Sequence, residues 1–132
     1  MFIDASAIIA IIAEEDDGPE LAARLDKAQQ QLRTSAVALY EAILGLARSR
    51  RLSVGEAANV VDQFLDRTGA QIIPITGEIG RVAIEAFEHF GRGRHPARLN
   101  MGDCFAYACA RALDVPLLFK GDDFSQTDIA AG

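Results

Sequence analysis

The sequence predicts an α/β fold with a mainly parallel central sheet of about four to five strands flanked by helices. Short apolar runs rich in β-branched residues alternate along the chain with longer segments of helical periodicity. The chain has 132 residues, half of them hydrophobic, which is enough for one sizeable core but not for two. We therefore expect residues 1–132 to form a single domain.

The first half of the chain contains two predicted strands and four predicted helices. A buried strand ends near Asp4, and the apolar run after it continues as a helix. Pro19 is tolerated at the start of the second helix. Ser53, followed by Glu56 three residues later, has the spacing of a capping box. The predicted elements are strands 1–4 and 31–35 and helices 5–13, 20–28, 36–51 and 53–67.

The second half adds two strands and two helices. Pro74 lies near the end of a predicted strand, which favours an edge position because proline cannot donate to a ladder. Thr76 is a suitable N-cap for the next helix. Gly121 breaks the last strand and leads into a polar tail. The predicted elements are strands 70–75 and 115–119 and helices 77–89 and 99–113.

Composition excludes some classes of function. Nineteen acidic residues outweigh thirteen basic ones, so the whole molecule does not attract nucleic acid, and any such binding needs a local basic patch or a metal. The apolar runs are too short to span a membrane, and the start of the chain has no basic n-region, so we expect a cytoplasmic protein. Cys104 and Cys109 are expected to be small core residues, and their pattern does not fit a zinc site.

Three carboxylates each stand alone in an apolar run. Asp4 is the only charged residue in 1–13, Glu41 the only one between positions 34 and 47, and Asp103 the only one in 99–110. An unpaired buried ion costs several kcal/mol, on the order of the desolvation penalties measured in proteins. Three such acids suggest one shared pocket, and carboxylate pockets usually hold a hard cation.

The ends of the predicted strands support this convergence. Asp4 follows the first strand and the pair Asp122-Asp123 follows the last, and ligands collect at the carboxyl ends of parallel strands. Two unit charges about 5 Å apart repel by roughly 3 kcal/mol at an effective dielectric constant of 20, and Mg²⁺ or Mn²⁺ would reverse that repulsion. A metal ion activates water and stabilises charge on a phosphodiester oxygen, which is the chemistry of a metal-dependent nuclease.

Each acid also has a structural alternative. Asp4 could cap the first helix, Asp103 could complement a helix dipole, and Glu41 could form an ion pair with an arginine. Asp122-Asp123 alone would be an ordinary turn. A phosphoacceptor signalling domain fits poorly because Asp4 has no second acid beside it, and an aspartyl phosphohydrolase fits poorly because Ser6 stands where a second Asp is expected.

Several motifs together resemble a known family. They are Asp4 with Ser6, Glu41 in the helix after the second strand, the run LNMGDC at 99–104, and the run LFKGDDF at 118–124 followed by Thr127-Asp128-Ile129. In this order and spacing the chain resembles a PIN domain, and more closely a VapC-type toxin of a bacterial type II toxin–antitoxin pair. The likeness extends from Asp4 to Ile129, essentially the whole chain.

The resemblance implies a Mg²⁺-dependent ribonuclease, with Mn²⁺ as a substitute ion. Asp4, Glu41 and Asp103 match the acidic positions of the family, and the fourth acid is Asp123 or, with a shift of one residue, Asp122. Asp4 and Asp103 would contact the metal. The residues expected to support the metal shell are Glu41, Asp122, Ser6 and Thr127. The resemblance also implies a VapB-type antitoxin that presents a basic side chain to the acids, and a homodimer.

The acid-free loop before Asp103 is a candidate RNA-binding segment. Arg92, Arg94 and Arg98 could contact phosphates beside an otherwise repulsive pocket, although a solvated surface loop explains them equally well. Lys120 could neutralise charge near the pocket or simply lie on the surface. A non-catalytic module of the same fold, whose acidic groove binds a basic partner segment, remains the alternative function.

Overall fold

A four-stranded parallel sheet lies at the centre of the computed structural model, which describes residues 1–132. The strands are β1 (Phe2–Ile3), β2 (Arg33–Ser35), β3 (Gln71–Ile73) and β4 (Leu117–Leu118). Their order is β3-β2-β1-β4, and every pairing is parallel. The predicted α/β class, the parallel sheet and the edge position of β3 are therefore confirmed.

Six helices surround the sheet. Ser53 and Thr76 cap their helices as predicted, accepting hydrogen bonds from the backbone amides of Glu56 and Ile79 at 3.1 and 3.2 Å. The side chain of Glu56 returns no hydrogen bond, so only half of the predicted capping box forms. The helices are α1 (Ala5–Ile12), α2 (Gly18–Lys27), α3 (Ala36–Arg50), α4 (Val54–Thr68), α5 (Gly77–Phe90) and α6 (Met101–Leu113), followed by a 3₁₀ turn at Phe124–Gln126.

All four strands are shorter than predicted. Pairing of β3 ends at Ile73, just before Pro74, which has no amide hydrogen to donate. Beyond β4 the chain leaves the sheet, and the amide of Lys120 donates to Oγ of Ser6 at 3.0 Å instead of to a strand. This departure brings the segment after β4 next to the start of α1.

The sheet separates two apolar clusters. Ile3 and Leu118 face the cluster formed by α1 to α4, whereas Phe2 and Leu117 face the cluster formed by α5 and α6. Adjacent residues of a strand point to opposite faces, so even two-residue strands contribute to both cores. Cys104 and Cys109 are buried in the second cluster as free thiols, as predicted, and burial raises the pKa of each to about 11.

None of the helices combines the length and the apolar composition that a membrane span requires.

The three strands β1, β2 and β4 all end at one edge of the sheet. Asp4 follows β1, Ser35 at the end of β2 caps α3, and Gly121 follows β4. The direction of the strands therefore carries Asp4 and the segment with Asp122 and Asp123 to one side of the molecule.

The stability of the apolar cluster formed by α1 to α4 should depend strongly on Leu46, which lies on α3 and is 1% exposed. We expect Leu46→Ala to lower the free energy of unfolding by about 2–5 kcal/mol, because it removes buried methyl groups and leaves a cavity. Urea denaturation followed by circular dichroism measures this loss. Ile84→Ala on α5 is the control, since Ile84 is 70% exposed. Equal losses in the two variants would contradict the assigned core.

Candidate active site

Asp4 lies where β1 ends and α1 begins, and it caps that helix. Its Oδ2 accepts hydrogen bonds from the amide of Ser6 at 3.0 Å and from Oγ of Ser6 at 2.5 Å. Ser6 in turn accepts the hydrogen bond from the amide of Lys120. The capping alternative is thus correct for one oxygen of Asp4, and Ser6 connects that carboxylate to the segment after β4.

The other oxygen of Asp4 is free. The residue is only 5% exposed, yet Oδ1 accepts no hydrogen bond. Burial raises the pKa of Asp4, against the opposing effect of the hydrogen bonds from Ser6 and of the backbone amide of Ala5. The charged carboxylate is therefore held in place but is poorly solvated.

Glu41 projects from α3 towards the first turn of α6. Ser35 fixes the start of α3 by accepting a hydrogen bond from the amide of Ala38 at 3.2 Å. The carboxylate of Glu41 lies against the backbone of Gly102. It accepts no hydrogen bond and forms no ion pair, so the interpretation as an arginine-paired glutamate is wrong. Burial, with the charges of Asp4 and Asp103, raises the pKa of Glu41 to about 7.

Asp103 belongs to a complete capping box at the start of α6. Its Oδ2 accepts from the amide of Asn100 at 3.0 Å, and Oδ1 of Asn100 accepts from the amide of Asp103 at 2.9 Å. Burial raises the pKa of Asp103 to about 6; the hydrogen bond from Asn100 opposes this rise, and the charges of Asp4 and Asp123 add to it. Asp103 therefore has both a structural role and a place among the acids, with Oδ1 left free.

The two adjacent acids after β4 differ in position. Gly121 adopts a left-handed conformation with φ of 92°, which a glycine adopts without strain, and the chain turns there. Asp123 is near enough for its charge to raise the pKa of Asp103, whereas Asp122 makes no such contribution. Thr127 donates to the carbonyl of Phe124 at 2.6 Å and bonds to none of the acids. The electrostatics thus favour Asp123 as the fourth acid.

No basic side chain compensates the clustered carboxylates. The molecule contains two ion pairs, Arg111 with Asp128 at 3.8 Å and Lys120 with Glu15. Lys120 therefore neutralises the acidic turn before α2 rather than the predicted site. Asp4, Glu41 and Asp103 come from three different elements, and the charges of Asp4 and Asp103 raise the pKa of Glu41. Mutual repulsion of this kind is relieved by protonation or by a cation.

The donor set suits a hard divalent ion chemically, although it does not form a closed cage. No three His, Cys, Asp or Glu side chains approach closely enough to bind one ion together. Mg²⁺ takes only one or two carboxylates directly and keeps several waters, so separated carboxylates can share it through water. The free oxygens of Asp4, Glu41 and Asp103 are of the type that Mg²⁺ and Mn²⁺ prefer. The residues present therefore fit such an ion.

The segment at residues 92–98, called here the arginine loop, leads directly to α6. Its ends are joined by the bridge between Gly91 and Leu99, and the amide of Arg92 donates to the carbonyl of Leu99 at 3.0 Å. Arg92, Arg94 and Arg98 are all exposed and form no ion pair. The guanidinium of Arg94 stands 5.5 Å from the ring centre of Phe87 on α5. The loop is free to meet a ligand, and RNA binding by these arginines stays a prediction.

Sequence reasoning missed two residues of the site. Asn100 holds Asp103 through the capping box, and an Asn three positions before an Asp is a signal that could have found it. The carboxylate of Glu41 packs against Gly102. The only feature of the sequence that could have indicated this contact is the presence of a glycine inside the first turn of a predicted helix. A separate cavity of about 610 Å³ between α5 and α6 is lined by Tyr107, Arg111 and Asp128, among others, and by none of the four acids predicted for the site.

The chain is similar to known proteins over nearly its whole length. The sequence profile of the PIN domain matches residues 1–130. A VapC ribonuclease of Rhizobium meliloti is 39% identical over 139 residues, covering 97% of this chain and 98% of the relative. Ribonuclease VapC42 of Mycobacterium tuberculosis is 40% identical, covering 98% and 96%. Ribonuclease VapC of Mycolicibacterium smegmatis is 37% identical, covering 99% and 98%.

The raised pKa of Glu41 makes the stability of the cation-free protein depend on pH. Between 4.5, the ordinary value, and about 7, the folded state keeps a proton that the unfolded state has lost. The free energy of unfolding therefore falls as pH rises through this window. In a chelating buffer, we expect Glu41→Gln to raise Tm relative to the wild type, with a difference that grows over the same window.

Glu88→Gln, which changes an exposed glutamate of α5, is the control and should show no such growth. Thermal unfolding measured at a series of pH values decides the matter. A Tm difference for Glu41→Gln that stays constant from acid to neutral pH would contradict the burial and repulsion assigned to this carboxylate.

Proposed function

Since this chain belongs to the PIN domain family, we propose that it is a Mg²⁺-dependent endoribonuclease, the toxin of a VapBC-type toxin–antitoxin pair. The observation that carries the proposal is that Asp4, Glu41 and Asp103 lie close enough for their charges to affect one another, while none of them has a basic partner. The similar proteins are VapC ribonucleases, which supports RNA as the substrate. The exposed arginines of the loop that precedes α6 support binding to a phosphate backbone.

Asp4 and Asp103 would hold Mg²⁺ through their free Oδ1 atoms, with Glu41 and Asp123 completing the shell directly or through water. Mn²⁺ would substitute, since it prefers the same oxygen ligands. When bound, the ion would neutralise the carboxylates and would stabilise negative charge on a phosphodiester oxygen. Ser6 and Asn100 keep the two aspartates oriented by occupying their other oxygens.

In the proposed hydrolysis, a water oxygen forms a bond to phosphorus while the bond from phosphorus to a ribose oxygen breaks, and that ribose oxygen takes a proton from solvent. Glu41 takes the proton of the attacking water, because both of its carboxylate oxygens are free of hydrogen bonds. Arg92, Arg94 and Arg98 position the substrate backbone, and Thr127 and Asp122 support the segment that carries Asp123. Protons compete with the cation for these carboxylates, so activity should fall towards acidic pH.

The same uncompensated charge also suits a basic protein segment. An antitoxin of the VapB type that places an arginine or lysine among the acids would neutralise them and block the site, as the family resemblance implies. We also propose that the chain acts as a homodimer. A non-catalytic module that only binds such a basic segment is the second candidate, and the requirement for metal in RNA cleavage separates the two.

Removal of a single metal-binding charge should abolish cleavage. We expect Asp4→Asn and Asp103→Asn each to lower the rate by at least about 100-fold, because losses of this order accompany damage to metal sites. The assay follows cleavage of total RNA in Mg²⁺, in Mn²⁺ and in chelator, with cut ends mapped by sequencing. Asp62→Asn, at an exposed position of α4, is the matched control.

Circular dichroism of each variant shows that the loss is not unfolding. If both variants cleave RNA at the wild-type rate and still require metal, the assignment of Asp4 and Asp103 as metal-binding residues is wrong. Binding of a basic peptide without any metal-dependent cleavage by the wild type would instead favour the non-catalytic module.

The arginine loop should act on substrate binding rather than on the chemical step. We expect the triple variant Arg92→Gln, Arg94→Gln, Arg98→Gln to raise KM and to flatten the salt dependence of kcat/KM, while kcat stays within about threefold. The control replaces Arg48, Arg67 and Arg81, which are exposed elsewhere, and removes the same net charge. Equal effects of both triple variants would show that overall charge, and not this loop, matters.

A further inference from the structure

One glycine touches the acidic cluster directly. Gly102 is buried at the second position of α6, next to Asp103 in sequence. A Cβ atom built on Gly102 would overlap both carboxylate oxygens and the carboxyl carbon of Glu41. The missing side chain at position 102 is therefore what leaves room for the Glu41 carboxylate beside the first turn of α6.

The backbone itself does not require glycine at this position. The glycines with left-handed backbone are Gly69, Gly93 and Gly121, whereas Gly102 lies within a helix. In a helix, alanine is more stable than glycine by about 0.5–1 kcal/mol. A glycine in the first turn thus carries a small stability penalty, and the local conformation offers no reason for it.

Other helical glycines have different surroundings. A Cβ on Gly55 or Gly80 would meet nothing within 4 Å. A Cβ on Gly45 would meet the side chain of Ile9, which is ordinary close packing between α1 and α3. Gly102 is the helical glycine whose empty space is filled by an acidic group of the site.

We propose that Gly102 is a positioning residue, which holds the carboxylate of Glu41 next to Asp103 and Asp4 by leaving space for it. This inference deepens the proposed function and rests on it where cleavage is concerned. The atoms that a new methyl group would meet are the far end of a flexible side chain, so Gly102→Ala should fold. The methyl group would turn the carboxylate away from the other two acids.

The test is a double-mutant cycle with Gly102→Ala, Glu41→Asp and the two combined. We expect Gly102→Ala to lower kcat and to weaken Mn²⁺ binding by about 10- to 100-fold, as for other groups that orient metal ligands, with Tm unchanged or higher. Aspartate is one methylene shorter and leaves room for the methyl group. In the Glu41→Asp background, Gly102→Ala should therefore lower kcat and Mn²⁺ affinity by less than about threefold, because the effects of substituting two contacting residues are not additive.

Mn²⁺ binding is measured on the RNA-free protein by electron paramagnetic resonance, and Gly80→Ala on α5 is the control with unchanged affinity and rate. Full Mn²⁺ affinity in Gly102→Ala would overturn the proposal. So would equal losses when Gly102→Ala is introduced into the wild type and into the Glu41→Asp variant. If the wild type cleaves no RNA, the proposed function fails. The coupling measured in Mn²⁺ affinity still decides whether Gly102 positions Glu41.

Discussion

The main constraint on this structure is that three carboxylates, Asp4, Glu41 and Asp103, lie near one another without a compensating cation of the protein's own. Burial raises the pKa values of all three, and repulsion within the cluster adds to this for Glu41 and Asp103, so in the absence of a bound cation the charged cluster opposes folding. The two apolar clusters on either side of the sheet must outweigh this cost. Such an arrangement is typical of a site whose binding partner is itself positive.

Local hydrogen bonding explains how the acids stay in place despite their repulsion. Asp4 caps α1 and Asp103 completes the capping box of α6, so each uses one oxygen to start a helix and leaves the other free. Glu41 has no such bond and depends on the packing of α3 against α6 at Gly102. The structural and functional interpretations of the two aspartates are therefore not alternatives, since one carboxylate serves both.

Much of the fold was accessible from the sequence because its signals are local. Helical periodicity, the caps Ser53 and Thr76, and the apolar runs placed all six helices within a few residues, and lone acids in apolar runs identified Asp4, Glu41 and Asp103. The contact of Glu41 with Gly102 was not predictable, because it depends on how two helices distant in sequence are rotated against each other. The pairing of Lys120 with Glu15 and the distinction between Asp122 and Asp123 depend likewise on turn geometry.

The central claim is that the carboxylate cluster is a cation site. The most direct test is the Tm of the wild-type protein without RNA, measured with and without Mg²⁺ at about pH 8 and about pH 5. A cation that binds the folded state stabilises it by mass action, and protons compete with the cation at low pH. The account predicts a clear rise in Tm with Mg²⁺ at the higher pH and a much smaller one at the lower pH. An unchanged Tm at both pH values, up to millimolar Mg²⁺, would contradict it.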